Sequence, residues 1–361
     1  MNVLFFWEPV GGLSLEHRCN PYAGLLDHAL HAHDIHLELG DYGMSPAWLE
    51  AQRSTHDVLH LNWLHLFYRR DDLAATVAAF HDFAESIHVA HRLGYRIVWT
   101  LHNLYPHERP FPQIDHMARL LVADHADIVL AHCEHAAALA RKHFYCRDVR
   151  VVPHGNFIDV FRNDLPQAEA RARLDLDSDD FVYLFFGNAR GYKSIETLID
   201  AFVSLQADDA VLGLMMRNAF DPSYGQQLAD HAGNSGGRIR IWTSEFFAND
   251  DFQLYLNSAD VVVLPFAEVL TSGSAITALG FGRPVIAPAL GCLPELIGDT
   301  AGIIYDPAIA DALPRAMETI RRRDLTSLGA AARARAESLD WAGIATHIVA
   351  AYRGDEISMA P

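Results

Sequence analysis

Along this chain, short apolar runs alternate with longer stretches whose apolar residues recur at helical spacing. That alternation is the pattern of parallel strands joined by crossover helices. In the first half, Val3–Trp7, Ile35–Leu39, Val58–Leu61, Arg96–Thr100, Ile128–Ala131 and Arg150–Val152 read as strands. Pro21–His33, Leu73–Leu93, Asp115–His125 and Glu134–Phe144 read as the helices between them. Pro153-His154-Gly155-Asn156 breaks the pattern, and a polar segment rich in Asp, Arg and Ala follows. A second series then runs through Phe181–Phe186, Val211–Met216, Arg238–Trp242, Val261–Leu264, Pro284–Ala287 and Gly302–Ile304. Its helices fit Ser194–Leu205, Gln226–Ala232, Phe252–Asn257, Ser274–Phe281 and Ala308–Arg322. The expectation is an α/β protein of two doubly wound, Rossmann-like units joined near residues 153–160. At 361 residues the chain is long enough for two such cores and too long for one.

Composition narrows this picture. Half the residues are apolar and a fifth charged, as in ordinary globular proteins. No apolar run reaches the length of a membrane span, and the first residues lack the basic region of a signal peptide. The formal charge of −18 argues against nucleic acid as a partner, since phosphate backbones need a basic face. Local basic clusters, Arg321-Arg322-Arg323 and Arg141-Lys142-His143, could still touch anionic lipid head groups. Four cysteines without CxxC spacing give no zinc signature. A cytoplasmic protein, with peripheral contact at the inner face of the membrane left open, is the expectation. Of the 21 histidines, 19 lie at or before His154, a bias that would charge the first half on mild acidification.

In doubly wound sheets ligands bind beyond the carboxyl ends of the strands, so the residues that follow strands carry the chemistry. After Phe181–Phe186 comes Gly187-Asn188-Ala189-Arg190-Gly191-Tyr192-Lys193-Ser194, then a helix. Glycine allows a tight turn there, and two cations beside a helix N-terminus suit a diphosphate. After Val261–Leu264 comes Pro265-Phe266-Ala267-Glu268-Val269-Leu270-Thr271-Ser272-Gly273-Ser274, again opening a helix. Its hydroxyls and first-turn amides form an anion cradle, and Glu268 stands on the approach to it. In the first half, His102 and Asn103 follow a central strand, with His107 and Glu108 further along the loop. Gly11 and Gly12 follow the first strand, and Glu16 lies just beyond.

These segments, in this order, resemble the GT-B glycosyltransferases, particularly the retaining family 4 (group 1) enzymes. Pro265 to Pro288 resembles the family's donor-binding segment, and Arg190 with Lys193 its diphosphate-binding pair. Val152-Pro153-His154-Gly155-Asn156 with Asp159 and Phe161 resembles its interdomain connection, and Gly291-Cys292-Leu293-Pro294-Glu295 its later glycine-Pro-Glu segment. The resemblance implies an acceptor domain over 1–155, a nucleotide-sugar donor domain over 156–340, facing it across a cleft, and a C-terminal helix, 341–361, packing back on the first domain. It also implies that His102 contacts a sugar hydroxyl or the reacting centre, and that Gly12 approaches the donor phosphate. Thr271, Ser272, Gly273 and Ser274 would join Arg190 and Lys193 around the diphosphate. One feature departs from the family. Of its two glutamates eight positions apart, the first falls on Val269 and the second on Thr277. Glu268, one residue early, could stand in for the first, and Thr277 could reach a ribose as a neutral group.

The implied reaction moves a hexosyl unit from a GDP- or UDP-sugar to an acceptor hydroxyl on a glycan or lipid-linked sugar. It needs no cofactor, and the absence of an Asp-x-Asp motif from the donor loop points to no metal. A retaining outcome is expected from the resemblance. If configuration were inverted, Glu16, His102 or Glu108 would have to take the acceptor proton. Asn103 and His107 complete the acceptor-side candidates. The rival readings are a nucleotide-sugar 2-epimerase of the same fold and a nucleotide-sugar-binding protein without turnover.

Overall fold

The computed structural model describes residues 1–8, 12–15, 20–217, 222–234 and 238–355. The chain divides into two compact units, one comprising Met1–Gly155 with the chain from Asp340 onward, the other Asn156–Leu339. Each is built on one six-stranded parallel sheet.

The first unit's strands are β1 (Asn2–Phe6), β2 (His36–Leu39), β3 (Val58–Leu61), β4 (Arg96–Leu101), β5 (Ile128–Ala131) and β6 (Val149–Val151), in the order β2-β1-β3-β4-β5-β6. Their side chains are apolar and largely buried on both faces, as a helix-covered parallel sheet requires. The order reverses direction between β1 and β3, which opens a crevice at their carboxyl ends. The helix Trp341–Arg353, capped by Asp340 accepting from the Gly343 amide at 2.7 Å, belongs to this unit. Its Trp341 ring meets Tyr22 edge-on at 5.3 Å. Gly155 leaves room for the Trp341 indole, which a Cβ at that position would overlap.

The second unit holds β7 (Phe181–Asn188), β8 (Ala210–Arg217), β9 (Ile239–Ser244), β10 (Val261–Val263), β11 (Val285–Pro288) and β12 (Gly302–Tyr305), ordered β12-β11-β10-β7-β8-β9. Here direction reverses between β7 and β10. A buried ion pair, Arg171 to Asp260 at 2.7 Å, sits at the opposite end of these strands, where Asp260 also accepts from the Val182 amide.

The strands stand where the apolar runs indicate, with ends shifted by a residue or two. The helices Pro46–Gln52, Gln167–Arg173 and Leu325–Glu337 are additions that the periodicity did not disclose. Gln167–Arg173 and Leu325–Glu337 are Ala- and Arg-rich, so their apolar stripe is thin.

Candidate functional site

The two loops that leave β7 and β10 meet at the second unit's switch point. Gly187, at the end of β7, has φ +132°, a conformation open to glycine, and a Cβ there would lie 2.6 Å from Lys193 Nζ and 3.6 Å from Ser274 Oγ. Lys193 returns toward its own strand because a short 3₁₀ turn, Gly191–Lys193, is followed by Ser194 in the left-handed region at φ 49°. The Ala267 amide donates to the Tyr192 carbonyl at 2.9 Å, tying the two loops together. Lys193 is only 6 % exposed, and its ammonium lies 5.5 Å from the Phe266 ring centre and 5.8 Å from that of Phe185. Burial, reinforced by the nearby charge of Arg190, lowers its pKa to about 8. A buried cation beside a second cation and a glycine is an environment that an anion would relieve.

The helix Gly273–Gly280 opens beside this point. Ser272 is buried and serves as its cap, its hydroxyl oxygen accepting from the Ala275 amide at 3.1 Å. Its hydroxyl oxygen thus serves the helix, and the Ser274 hydroxyl lies on the Gly187 side of the helix start, where the Lys193 ammonium also comes. Thr271 is half-buried, 4.0 Å from the Cys292 sulfur. Thr277 is buried, and its hydroxyl donates to the Gly273 carbonyl at 2.9 Å, one turn back along its own helix, which leaves it acceptor capacity only. Glu268 is exposed in the loop before the helix, and Val269 is half-buried. Gly291, at φ +54°, packs so closely that a Cβ would come within 2.5 Å of the Val269 and Leu270 carbonyls. The Gly291-Cys292 turn thus braces the loop that carries Thr271 to Ser274, and the Cys292 amide donates to the Leu270 carbonyl at 2.8 Å.

In the first unit the strand ends carry rings. Trp7 follows β1, Asn62 and Trp63 follow β3, His102 follows β4, His132 follows β5, and His154 lies just beyond β6. His102 is 6 % exposed, stacked on Trp63 at 4.8 Å and met edge-on by Trp7 and Tyr22. Its Nε2 lies 2.9 Å from Asn62 Oδ1 and its Nδ1 3.2 Å from His132 Nε2. Both ring nitrogens therefore face polar atoms of the protein itself. Burial pushes the pKa of His60 and His154 down to about 3 and that of His132 to about 4, and holds His102 well below the usual imidazole value.

Asn103 is half-buried and lines a cavity of about 20 Å³ with Asn62, Trp63, His65 and Arg119. His107 is half-buried and Glu108 exposed, its carbonyl accepting from Arg69 at 2.7 Å. Gly12 is buried with φ +53° against Leu39 of β2. Gly11 and Glu16 lie outside the described residues. The strand-end placement that singles out His102 applies equally to Asn62 and Trp63 after β3 and to His132 after β5, and Asn62 and Trp63 were not among the expected site residues. Among the described residues no three His, Cys, Asp or Glu side chains gather as a metal would need.

Comparison with known proteins agrees with this architecture. Residues 180–322 match the family model for glycosyl transferases group 1. A GDP-mannose:glycolipid 4-beta-D-mannosyltransferase of Xanthomonas campestris pv. campestris is 28% identical over 247 residues, covering 66% of this chain. This chain spans 63% of that relative's length. A D-inositol 3-phosphate glycosyltransferase of Geodermatophilus obscurus is 28% identical over 327 residues, covering 86% of this chain and 70% of the relative. Among solved structures, sucrose-phosphate synthase from Thermosynechococcus elongatus superposes with a TM-score of 0.75 at 20% identity, covering 98% of both chains. Anabaena HepE in complex with UDP-glucose gives 0.73 at 17% identity, covering 98% of this chain and 100% of that one. The chain has the GT-B fold, and the part of it that resembles the group 1 glycosyl transferases by sequence model, residues 180–322, lies within the second unit.

Proposed function

We propose that the protein is a glycosyltransferase that moves a hexosyl unit from a GDP- or UDP-linked sugar to an acceptor hydroxyl. The observation that carries this reading is the meeting of Gly187, the buried Lys193 ammonium and the Ser274 hydroxyl at the switch point between β7 and β10. A departing nucleoside diphosphate gains negative charge as the bond to the anomeric carbon breaks. Lys193, Arg190 and the first-turn amides at Gly273 and Ser274 would hold that charge in place before the reaction begins. With the charge met by these groups, the transfer is read as independent of a divalent metal and of any cofactor.

A retaining outcome fits a first unit whose buried imidazoles are held neutral, since retention asks for no strong protein base. The acceptor is read as a glycan or lipid-linked sugar in exopolysaccharide or cell-surface glycan synthesis. The Xanthomonas relative's glycolipid acceptor supports this, and with such an acceptor a peripheral place at the inner face of the membrane is part of the same reading. Among the described residues no helix is long and apolar enough to cross a membrane. A nucleotide-sugar-binding protein without turnover is the second reading. It is favoured by Val269 and by the tied Thr277 hydroxyl, which stand where the family has carboxylates.

Melting curves with GDP and UDP, followed by donor panels scored for release of nucleoside diphosphate, test both. Stabilisation with acceptor-dependent release supports transfer, and stabilisation without release supports the binder. If neither nucleotide raises the Tm, the diphosphate assignment is lost.

A further inference from the structure

Two buried histidines of the first unit, His60 and His102, have a polar atom opposite each ring nitrogen, and they differ in what they face. His60 meets two hydroxyls, Tyr352 Oη at 2.6 Å from Nδ1 and Thr100 Oγ1 at 2.7 Å from Nε2. A hydroxyl can donate or accept, so a neutral imidazole satisfies both contacts with its single proton. His102 has no such latitude. Asn62 is oriented by its Nδ2, which donates to the Phe6 carbonyl at 3.1 Å, so its Oδ1 faces His102 Nε2 as an acceptor. On the other edge, His132 Nδ1 lies 2.9 Å from the Val152 carbonyl and must donate to it, which leaves His132 Nε2 a bare lone pair facing His102 Nδ1.

Between the Val152 carbonyl and Asn62 Oδ1 there are thus three contacts, and two neutral imidazoles bring two protons. The shorter contact, 2.9 Å to Asn62, takes the proton of His102. The 3.2 Å contact then sets two nitrogen lone pairs against each other. One proton from solvent, added to His102 Nδ1, completes the chain without breaking any of its other bonds and leaves the pair with a single positive charge.

We propose that Asn62 and His132 are positioning residues that fix which nitrogen of His102 is protonated, and that the His102–His132 contact takes up a proton on acidification before the other buried histidines, His60 and His154, do. Burial opposes the charge, as do the neighbouring His154 and His60. Tyr22 and Trp7 present ring edges and Trp63 its ring face, and none of these brings a charge. His60 and His154 are as deeply placed, but the contacts described for them leave no donor missing between two fixed acceptors.

Long-range ¹H–¹⁵N spectra of the full-length labelled protein, taken from about pH 7.5 to about pH 4.5, test this across the imidazole range. The His102→Gln spectrum identifies the signals. At neutral pH His102 should carry its proton on Nε2, and on acidification both its nitrogens should reach imidazolium values before His60 and His154 change. In Asn62→Leu the proton should move to Nδ1, and the uptake midpoint should fall by about a unit, a tenfold weaker proton affinity. A neutral Nδ1–H form of His102 in the wild-type protein would overturn the proposal, because Asn62 would then be turned round. So would unchanged titration in Asn62→Leu, and should that variant not fold, the wild-type spectra decide alone. These readouts need no turnover. If transfer is found, its acid limb should shift in Asn62→Leu with donor KM unchanged. Absence of transfer with every donor would count against the function proposed above and leave the proton site standing or falling on the spectra.

Discussion

Both units present loops beyond the carboxyl ends of a parallel sheet, yet they fill that position with opposite chemistry. The second unit gathers glycine, hydroxyls and a buried ammonium around β7 and β10. The first gathers indoles and imidazoles held neutral by burial around β1, β3, β4 and β5. The shared scaffold dictates where a site lies, and the residues after each strand dictate which charge it tolerates. One unit is short of an anion, and the other resists cations.

The largest effect that would sharpen this contrast is acid lability confined to the first unit. His60, His132 and His154 have folded pKa values of about 3 to 4, against about 6.5 when unfolded. Their burial as neutral rings therefore costs nothing above pH 6.5, and stability is lost as pH falls from there toward 4. At full linkage three protons give a slope of about 4 kcal/mol per pH unit. The second unit contains one histidine, His231, paired at the surface with Asp200. Hydrogen exchange between pH 7 and pH 5 should show the first unit opening first, and simultaneous opening of both would break the comparison.

Next in size is Lys193→Ala. A charge-assisted contact of about 1.5–3 kcal/mol implies roughly 10- to 100-fold weaker nucleoside-diphosphate binding by calorimetry. The Tm should hold or rise, because a buried cation is removed. Titrating the wild-type protein gives a related result. Lys193 loses its proton above about pH 8 in the free protein, so affinity should fall as pH rises through that value, by up to about tenfold per unit. An affinity flat across pH 7 to 9.5 would remove Lys193 from the anion site.

Gly187→Ala should lower stability by about 1–2 kcal/mol through backbone strain and weaken nucleotide binding by displacing the ammonium. The smallest effect is expected for Glu268→Gln. As an exposed loop carboxylate it should change turnover of the sugar nucleotide a few-fold and leave affinity for the bare nucleotide unchanged. Equal loss of both would move Glu268 out of the sugar site.

Strand order and the meeting of Lys193 with Ser274 were within reach of the sequence, because doubly wound sheets place strand-following loops side by side. The roles of individual hydroxyls were not. Whether Ser272 caps its helix, or Thr277 donates to its own backbone, depends on rotamers that spacing does not fix. His102 stood out as a strand-end histidine, but its partners come from β3 and β5, 40 and 30 residues away, so their hydrogen bonds are visible only once the sheet is assembled. Glu268 and Val269 lie on a loop whose path is set by Gly291, far ahead in the chain.

The helix Trp341–Arg353 carries a consequence for biosynthesis. It delivers Tyr352 to His60 across 292 residues, and the Arg96 side chain donates to the Ala351 carbonyl at 2.6 Å. A nascent chain therefore has everything the second unit requires before the first can seal its own interior. The unit translated earliest is the one that must wait, so stalling or proteolysis near residue 340 would leave a finished C-terminal body attached to an N-terminal one still open.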